Sequence, residues 1–113
     1  MAEEPSLIQF FGANVSQTPI DLIIRKSDLV PQSSTTPPYQ FTPEENNTSE
    51  QLALALFLNW MANQDRSAAS QMVISGPDRA LVNRGGIYAN RYRFSVEVFI
   101  DDTSSSLPSP DDV

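Results

Sequence analysis

The amino-acid sequence predicts an α+β fold: one central helix over about residues 48–64, an antiparallel sheet of three to four strands, and extended terminal arms. Three observations support this prediction. Strong helix formers follow a polar helix start at residues 47–50, residues 87–100 alternate between two faces of a strand, and segments rich in proline and serine separate these patterned regions.

The chain has 113 residues and a mass of 12.5 kDa, which fits one domain with a modest core. We expect that domain to span residues 1–100, with an apolar N-terminal arm at 1–12 and a proline-rich connector at 31–43. Residues 101–113 form an acidic tail of serine, proline and aspartate, a composition typical of disorder.

The N-terminal arm contains a short apolar run that includes Phe10 and Phe11 and ends at Gly12. This run is too short to form a stable helix in isolation. It either packs on the body as a terminal turn or docks its two aromatic rings on a neighbouring molecule.

Residues 19–29 alternate in hydrophobicity and predict the first strand, which we place in the same sheet as the last strand. In the connector that follows, consecutive prolines favour an extended backbone. Tyr39 and Phe41 lie in this connector, where they either pin it to the body or anchor an adjacent subunit.

The central helix is predicted from its start signal and its composition. Asn47 begins a polar cap, and Glu50 follows three residues later, where its side chain can reach back to the free amides. Large apolar residues, Trp60 among them, surround most of the helix, so it needs cover from loops of this chain or from a partner. The remaining polar or small edge has four-residue spacing: Gln51, Ala55, Asn59 and Asn63.

Residues 71–100 predict strands separated by turns. Short strands at 71–75 and 79–82 flank a turn at 75–78 that contains Gly76 and Pro77. A hairpin turn is predicted at 83–86, where Gly85 and Gly86 tolerate positive φ. The strand at 87–100 exceeds the usual length of about five or six residues. It therefore bends at residues 89–90 or extends past its own sheet toward a neighbour.

The residue types that the chain lacks argue against catalysis. It has no cysteine and no histidine, so disulfides, thiolate ligands, the commonest general base and the commonest zinc ligand are absent. Pairs of carboxylates at residues 44–45, 101–102 and 111–112 fall in segments predicted to be exposed, where both members stay ionised. We therefore predict no enzymatic activity, no cofactor and no metal site.

The formal net charge of −7 repels phosphate backbones and anionic lipids, so we expect neither nucleic acid nor membrane as a partner. No apolar stretch reaches the roughly 20 residues that span a bilayer. The first residues are acidic and no apolar run typical of a signal peptide follows them, so we expect no secretion signal.

Positive charge is concentrated in one segment. Residues 79–93 contain Arg79, Arg84, Arg91 and Arg93 and no acidic residue. One interpretation is a solvated hairpin with local ion pairs, and another is a phosphate-binding patch. The third is a head-to-tail contact, in which these arginines meet the acidic tail or the helix start of the next copy.

Four features together resemble small structural proteins of tailed-bacteriophage virions, such as head-decoration, neck or tail components. They are the apolar arm, the connector at 31–43, the long strand at 87–100 and the polar tail. The resemblance implies a non-catalytic assembly subunit that binds copies of itself or other structural subunits, as a homo-oligomer within a larger assembly. It would place the protein in a virion; otherwise we expect a cytoplasmic protein.

The alternative function is a small soluble adaptor that binds a partner peptide or protein by pairing along a sheet edge. The candidate interface residues are aromatic, arginine or acidic, the types suited to anchoring and register at interfaces. They are Phe10, Phe11, Tyr39, Phe41, Trp60, Arg79, Arg84, Arg91, Arg93, Asp101 and Asp102.

Overall fold

A computed structural model of the chain describes residues 6–33, 35, 38–64, 71–100 and 110–112. The predicted α+β class is confirmed. The helices are α1 (Leu7–Phe11) and α2 (Ser49–Asn63), and two 3-10 helices span Lys26–Leu29 and Pro110–Asp112. The strands are β1 (Ser16–Gln17), β2 (Leu22–Ile23), β3 (Met72–Arg84) and β4 (Ile87–Val98).

The chain divides into two compact units. We call residues 5–66 the helical unit, and we call β3 and β4, which belong to the second unit, the hairpin. The single domain expected over residues 1–100 stays a prediction, and most of the expected tail lies outside the described residues.

The N-terminal run forms α1 and packs on the body. A capping box starts this helix: the Ser6 hydroxyl accepts from the Gln9 N–H at 3.1 Å, and the Gln9 side chain accepts from the Ser6 N–H at 2.9 Å. Phe10 then contacts Trp60 of α2, with ring centroids 4.3 Å apart. The terminal-turn alternative is thus the one that the structure shows.

The prediction of a strand at residues 19–29 is wrong for most of that segment. Only Leu22–Ile23 pair as a strand, with β1, and Lys26–Leu29 form a 3-10 helix. The Asp28 carboxylate accepts from the backbone N–H and the side-chain amide of Asn14 at 2.8 and 2.9 Å, which fixes a turn here. The placement of the first and last strands in one sheet is also wrong, because β1–β2 and β3–β4 form separate two-stranded antiparallel sheets.

The central helix starts with a different capping pair from the predicted one. The Thr48 hydroxyl accepts from the Gln51 N–H at 3.1 Å, and the Gln51 side chain accepts from the Thr48 N–H at 2.9 Å. Asn47 is not the cap, because its side chain closes the preceding turn by accepting from the Glu44 N–H at 2.8 Å. The amide of Gln51 therefore takes the role predicted for Glu50.

The small-residue edge of α2 lies partly on its buried side. Ala55 and Asn59 are buried together with Trp60, whereas Leu54 is 45% exposed and Phe57 is 36% exposed. Small side chains let neighbouring backbone approach closely, and α1 and the first 3-10 helix both contact α2. The helix is consequently covered on one side and remains partly exposed on the other.

The hairpin contains one continuous long strand where the sequence predicts two short strands and a turn. Gly76 and Pro77 form a bulge inside β3: between Ser75 and Asp78, β3 has one more residue than the paired stretch of β4. Gly76 has φ 109°, and a Cβ there would lie 2.7 Å from the carbonyl oxygen of Arg93. The site therefore accepts glycine and little else.

The long strand β4 neither bends at residues 89–90 nor extends past its partner, because β3 pairs with it from Ile87 to Val98. Its predicted alternation is confirmed by this pairing. The predicted turn is also confirmed: Gly85 and Gly86 have φ of 61° and 88°, and the Asn83 side chain accepts from the Gly86 N–H at 2.9 Å.

Candidate protein interface

The pairing register assigns each hairpin side chain to one of two faces, because residues directly opposite each other share a face. Arg79 lies opposite Tyr92, and Asn83 lies opposite Tyr88. We call the face that carries these pairs the aromatic face: Met72, Ile74, Arg79, Leu81, Asn83, Tyr88, Asn90, Tyr92, Phe94, Val96 and Val98. Ile74 on this face is fully buried. We call the other the arginine face: Val73, Ser75, Asp78, Ala80, Val82, Arg84, Ile87, Ala89, Arg91, Arg93, Ser95 and Glu97. Its two acidic residues, Asp78 and Glu97, lie away from the turn, and its part next to the turn carries Arg84 and Arg91.

The aromatic face leaves large apolar and aromatic side chains in solvent. Leu81 is 68% exposed, Tyr88 69%, Tyr92 54% and Val96 50%. They are distributed along a ribbon roughly 40 Å long, given about 3.3 Å per residue. Monomeric soluble proteins seldom expose a continuous apolar patch of more than a few hundred Å². This face is therefore the first candidate interface.

The arginine face brings together three of the four arginines singled out in the sequence. Arg84, Arg91 and Arg93 lie on it and are exposed, whereas Arg79 lies on the aromatic face. Asp78 stands opposite Arg93 and offsets part of its charge. Near the turn, Ile87 stands opposite Arg84 and is 72% exposed, which places an apolar side chain among the guanidinium groups.

The helical unit has a candidate surface of its own, a groove of about 350 Å³ between α2 and the connector. Phe41, Leu54 and Leu58 provide apolar lining, and Glu44 and Gln51 provide polar lining. We call this the acidic groove. Two further exposed acids lie beside it in sequence, Glu45 and Glu50.

A larger cavity of about 650 Å³ lies elsewhere in the helical unit, among α1, the first 3-10 helix, the connector and the end of α2. The Tyr39 hydroxyl donates to the Leu29 carbonyl at 3.1 Å, and burial raises the pKa of Tyr39. Asn59 is 5% exposed, and its side-chain oxygen accepts from Asn63 at 3.2 Å. Its Nδ2 has no hydrogen-bond partner among the residues that the structure describes. These groups can form hydrogen bonds with a polar molecule.

Acidic side chains are few at the larger cavity. Among the described residues that line it, Asp28 is the only one with a carboxylate, and Asn14 already donates two hydrogen bonds to it. Within the described part of the chain, no group of three or more acidic, histidine or cysteine side chains is placed to hold a metal ion.

The aromatic residues predicted for the interface lie in three different environments. Trp60 is 2% exposed and lies against Phe10, and Phe10 also contacts Phe11, with ring centroids 4.4 Å apart. Tyr39 pins the connector to the body through its hydrogen bond, whereas Phe41 lines the acidic groove. Partner binding through these residues stays a prediction.

Asp101 and Asp102 lie outside the described residues. Tyr88, Tyr92 and Leu81 were missed as interface candidates, although the alternation of β4 already placed Tyr92 on the face of Val96. The signal that could have found them is the combination of this alternation with the Gly85-Gly86 turn, which fixes the strand opposite.

Comparisons of the chain with protein-family models, with curated proteins and with solved structures found no match. Among the residues that the structure describes, neither α-helix has the length and hydrophobicity needed to cross a membrane.

Proposed function

We propose that this protein is a non-catalytic assembly subunit of a larger complex and that the aromatic face of the hairpin is its main contact surface. One observation carries the proposal: a long two-stranded ribbon holds Leu81, Tyr88, Tyr92 and Val96 half or more exposed on a single face. Tyrosine and arginine are residue types enriched at interface centres.

Burial of the aromatic face by a partner would be energetically favourable. A two-stranded hairpin is marginally stable by itself in water. Covering apolar surface contributes about 25 cal/mol per Å², so each large side chain that becomes fully buried adds about 1.5–3 kcal/mol. A partner packed on the aromatic face would therefore stabilise both the complex and the ribbon that forms it.

The larger complex that we propose is a virion of the tailed-bacteriophage type, with this chain as a homo-oligomeric component. The support comes from the arm, the connector, the long strand and the polar tail, a combination typical of such subunits. Assembly onto an existing particle is compatible with the same contact surface.

Sedimentation velocity over a range of concentrations tests the contact surface. We expect the wild-type chain of 12.5 kDa to form larger species as concentration rises, and Tyr88→Ser with Tyr92→Ser to associate only at higher concentrations. The matched control is Ile20→Ser with Leu22→Ser, which removes two exposed apolar side chains from the helical unit. Wild-type association in the Tyr88/Tyr92 variant would argue against the aromatic face as the contact.

A second candidate function, the adaptor that pairs with a peptide, is favoured by one feature of the hairpin. The outer edge of β4 runs from Ile87 to Val98 without glycine or proline, whereas Gly76 and Pro77 interrupt β3. Uninterrupted edges accept added strands. Amide hydrogen exchange separates the two functions, because an added strand protects backbone amides of β4 and contact through side chains leaves its outer amides exchanging.

A further inference from the structure

Positive charge is concentrated in the part of the hairpin next to its turn. Residues 79–93 hold four of the seven basic residues, and all fourteen acidic residues lie outside this segment. In the helical unit, the Lys26 ammonium donates to the backbone carbonyl of Glu44 at 2.7 Å. The carboxylates of Glu44, Glu45 and Glu50 remain exposed around the start of α2.

The acidic groove and the arginine face are complementary in two respects. The groove combines apolar lining from Phe41 and Leu54 with the carboxylate of Glu44. The arginine face combines the exposed apolar side chain of Ile87 with the guanidinium groups of Arg84 and Arg91. Specific interfaces usually have an apolar core and a rim where opposite charges face each other.

We infer that the arginine face of one copy docks in the acidic groove of a second copy, with Ile87 toward the apolar lining and Arg84 and Arg91 toward the glutamates. The inference rests on the proposed assembly function and names the partner as this same chain. The two surfaces are different patches, so the contact is heterologous and repeats head to tail, either closing a ring or continuing as a stack.

A complementary charge swap tests this pairing. Arg91→Glu makes the hairpin of one chain repel the groove of its copies, and Glu44→Arg makes the groove of another chain repel their hairpins. We expect each variant alone to associate about tenfold more weakly than wild type. An equal mixture should recover wild-type association, because each altered surface then meets one of opposite charge.

The matched controls reverse one charge at exposed positions of the helical unit that do not line the groove, Arg25→Glu and Asp21→Arg. We expect each control to associate like wild type. Sedimentation velocity at about 0.05 M and about 0.5 M salt measures all species, and wild-type association should weaken at the higher concentration because charges at the rim are screened.

Three results would overturn the inference: a mixture that stays as weakly associated as its parts, controls as defective as the test variants, or a wild-type chain that remains a monomer throughout. The last of these results would overturn the assembly proposal as well, whereas the first two would leave it standing. Association that is lost in the Tyr88/Tyr92 variant but kept in Arg91→Glu would remove the head-to-tail pairing and retain the aromatic face. Recovery in the mixture would support the pairing directly.

Discussion

The helical unit and the hairpin treat the same classes of side chain in opposite ways. In the helical unit, Trp60 is 2% exposed and Leu29 is 4% exposed. In the hairpin, Leu81 and Tyr88 are 68% and 69% exposed. The division is not complete, because Ile74 of the hairpin is fully buried and Ile20 of the helical unit is 92% exposed.

The difference follows from secondary structure. The central helix α2 is approached by α1 and by the first 3-10 helix, so one side of it is covered within the helical unit. A two-stranded sheet has two faces, and its strands cannot cover either one. Hydrophobicity alone therefore does not locate an interface. An apolar side chain indicates an interface where no other element of its own unit packs on it.

The largest loss of stability should come from removing the Trp60 ring at the centre of the helical unit. Trp60→Ala deletes a buried side chain that contacts Phe10, and we expect a loss of about 3–5 kcal/mol in the free energy of unfolding. Urea denaturation followed by circular dichroism measures it. Tyr88→Ala, which deletes an exposed ring, should cost under about 1 kcal/mol. Equal losses of unfolding free energy in the two variants would contradict the difference in burial between Trp60 and Tyr88.

The hairpin should be most sensitive where its backbone is constrained. Gly76→Ala places a Cβ against the carbonyl oxygen of Arg93 at a positive φ, so we expect the hairpin to lose about 1–3 kcal/mol. Faster amide hydrogen exchange in β3 and β4 would report this loss. Gly85→Ala is the control: its φ is also positive but open space surrounds it, so its cost should be smaller, and an equal or larger cost would contradict the close approach at Gly76.

Loss of a helix cap should affect the helical unit alone. Thr48→Ala removes the hydroxyl that accepts from the Gln51 N–H, and we expect about 1 kcal/mol of destabilisation in thermal unfolding. Thr48→Ser keeps the hydroxyl and should restore most of the stability. A Ser variant as unstable as the Ala variant would mean that the Thr48 methyl group, and not the hydrogen bond, is responsible.

The smallest change in stability is expected for the loss of a tyrosine hydroxyl, which can be compared between the two units. Tyr39→Phe removes a hydroxyl that donates to the Leu29 carbonyl, so we expect about 0.5–1 kcal/mol of destabilisation at neutral pH, whereas Tyr88→Phe should be neutral. Because burial raises the pKa of Tyr39 above 10.0, its hydroxyl contributes stability below pH 10 that is lost as pH rises through the raised pKa. Alkaline denaturation should therefore bring wild type and Tyr39→Phe together, and a gap that persists would contradict this linkage.

Local patterns predicted much of the fold. The composition of α2, the alternation of β4 and the Gly85-Gly86 turn each depend on residues close together in sequence, and each prediction agrees with the structure. The capping pair was displaced by one residue because Asn47 has a competing hydrogen bond in the preceding turn. A spacing rule cannot say which of several possible hydrogen-bond partners the Asn47 side chain takes.

Features that depend on distant pairing were not predictable. The division into two sheets depends on which strands meet, and the first strand is cut short where Asp28 binds Asn14. The extra residue at the Gly76-Pro77 bulge also reverses the alternation of β3. This reversal puts Ile74 on the same face as Arg79 and Leu81, whereas an uninterrupted strand would put it on the opposite face.

The central claim is that contacts between molecules cover the aromatic face, while the core around Trp60 is already buried within the helical unit. Hydroxyl-radical footprinting with mass spectrometry across protein concentrations tests it. The account predicts that Tyr88, Tyr92 and Leu81 become protected as the chain associates, while the low reactivity of Trp60 stays constant. Labelling of Tyr88 and Tyr92 that is the same in the monomer and in the associated form would contradict it.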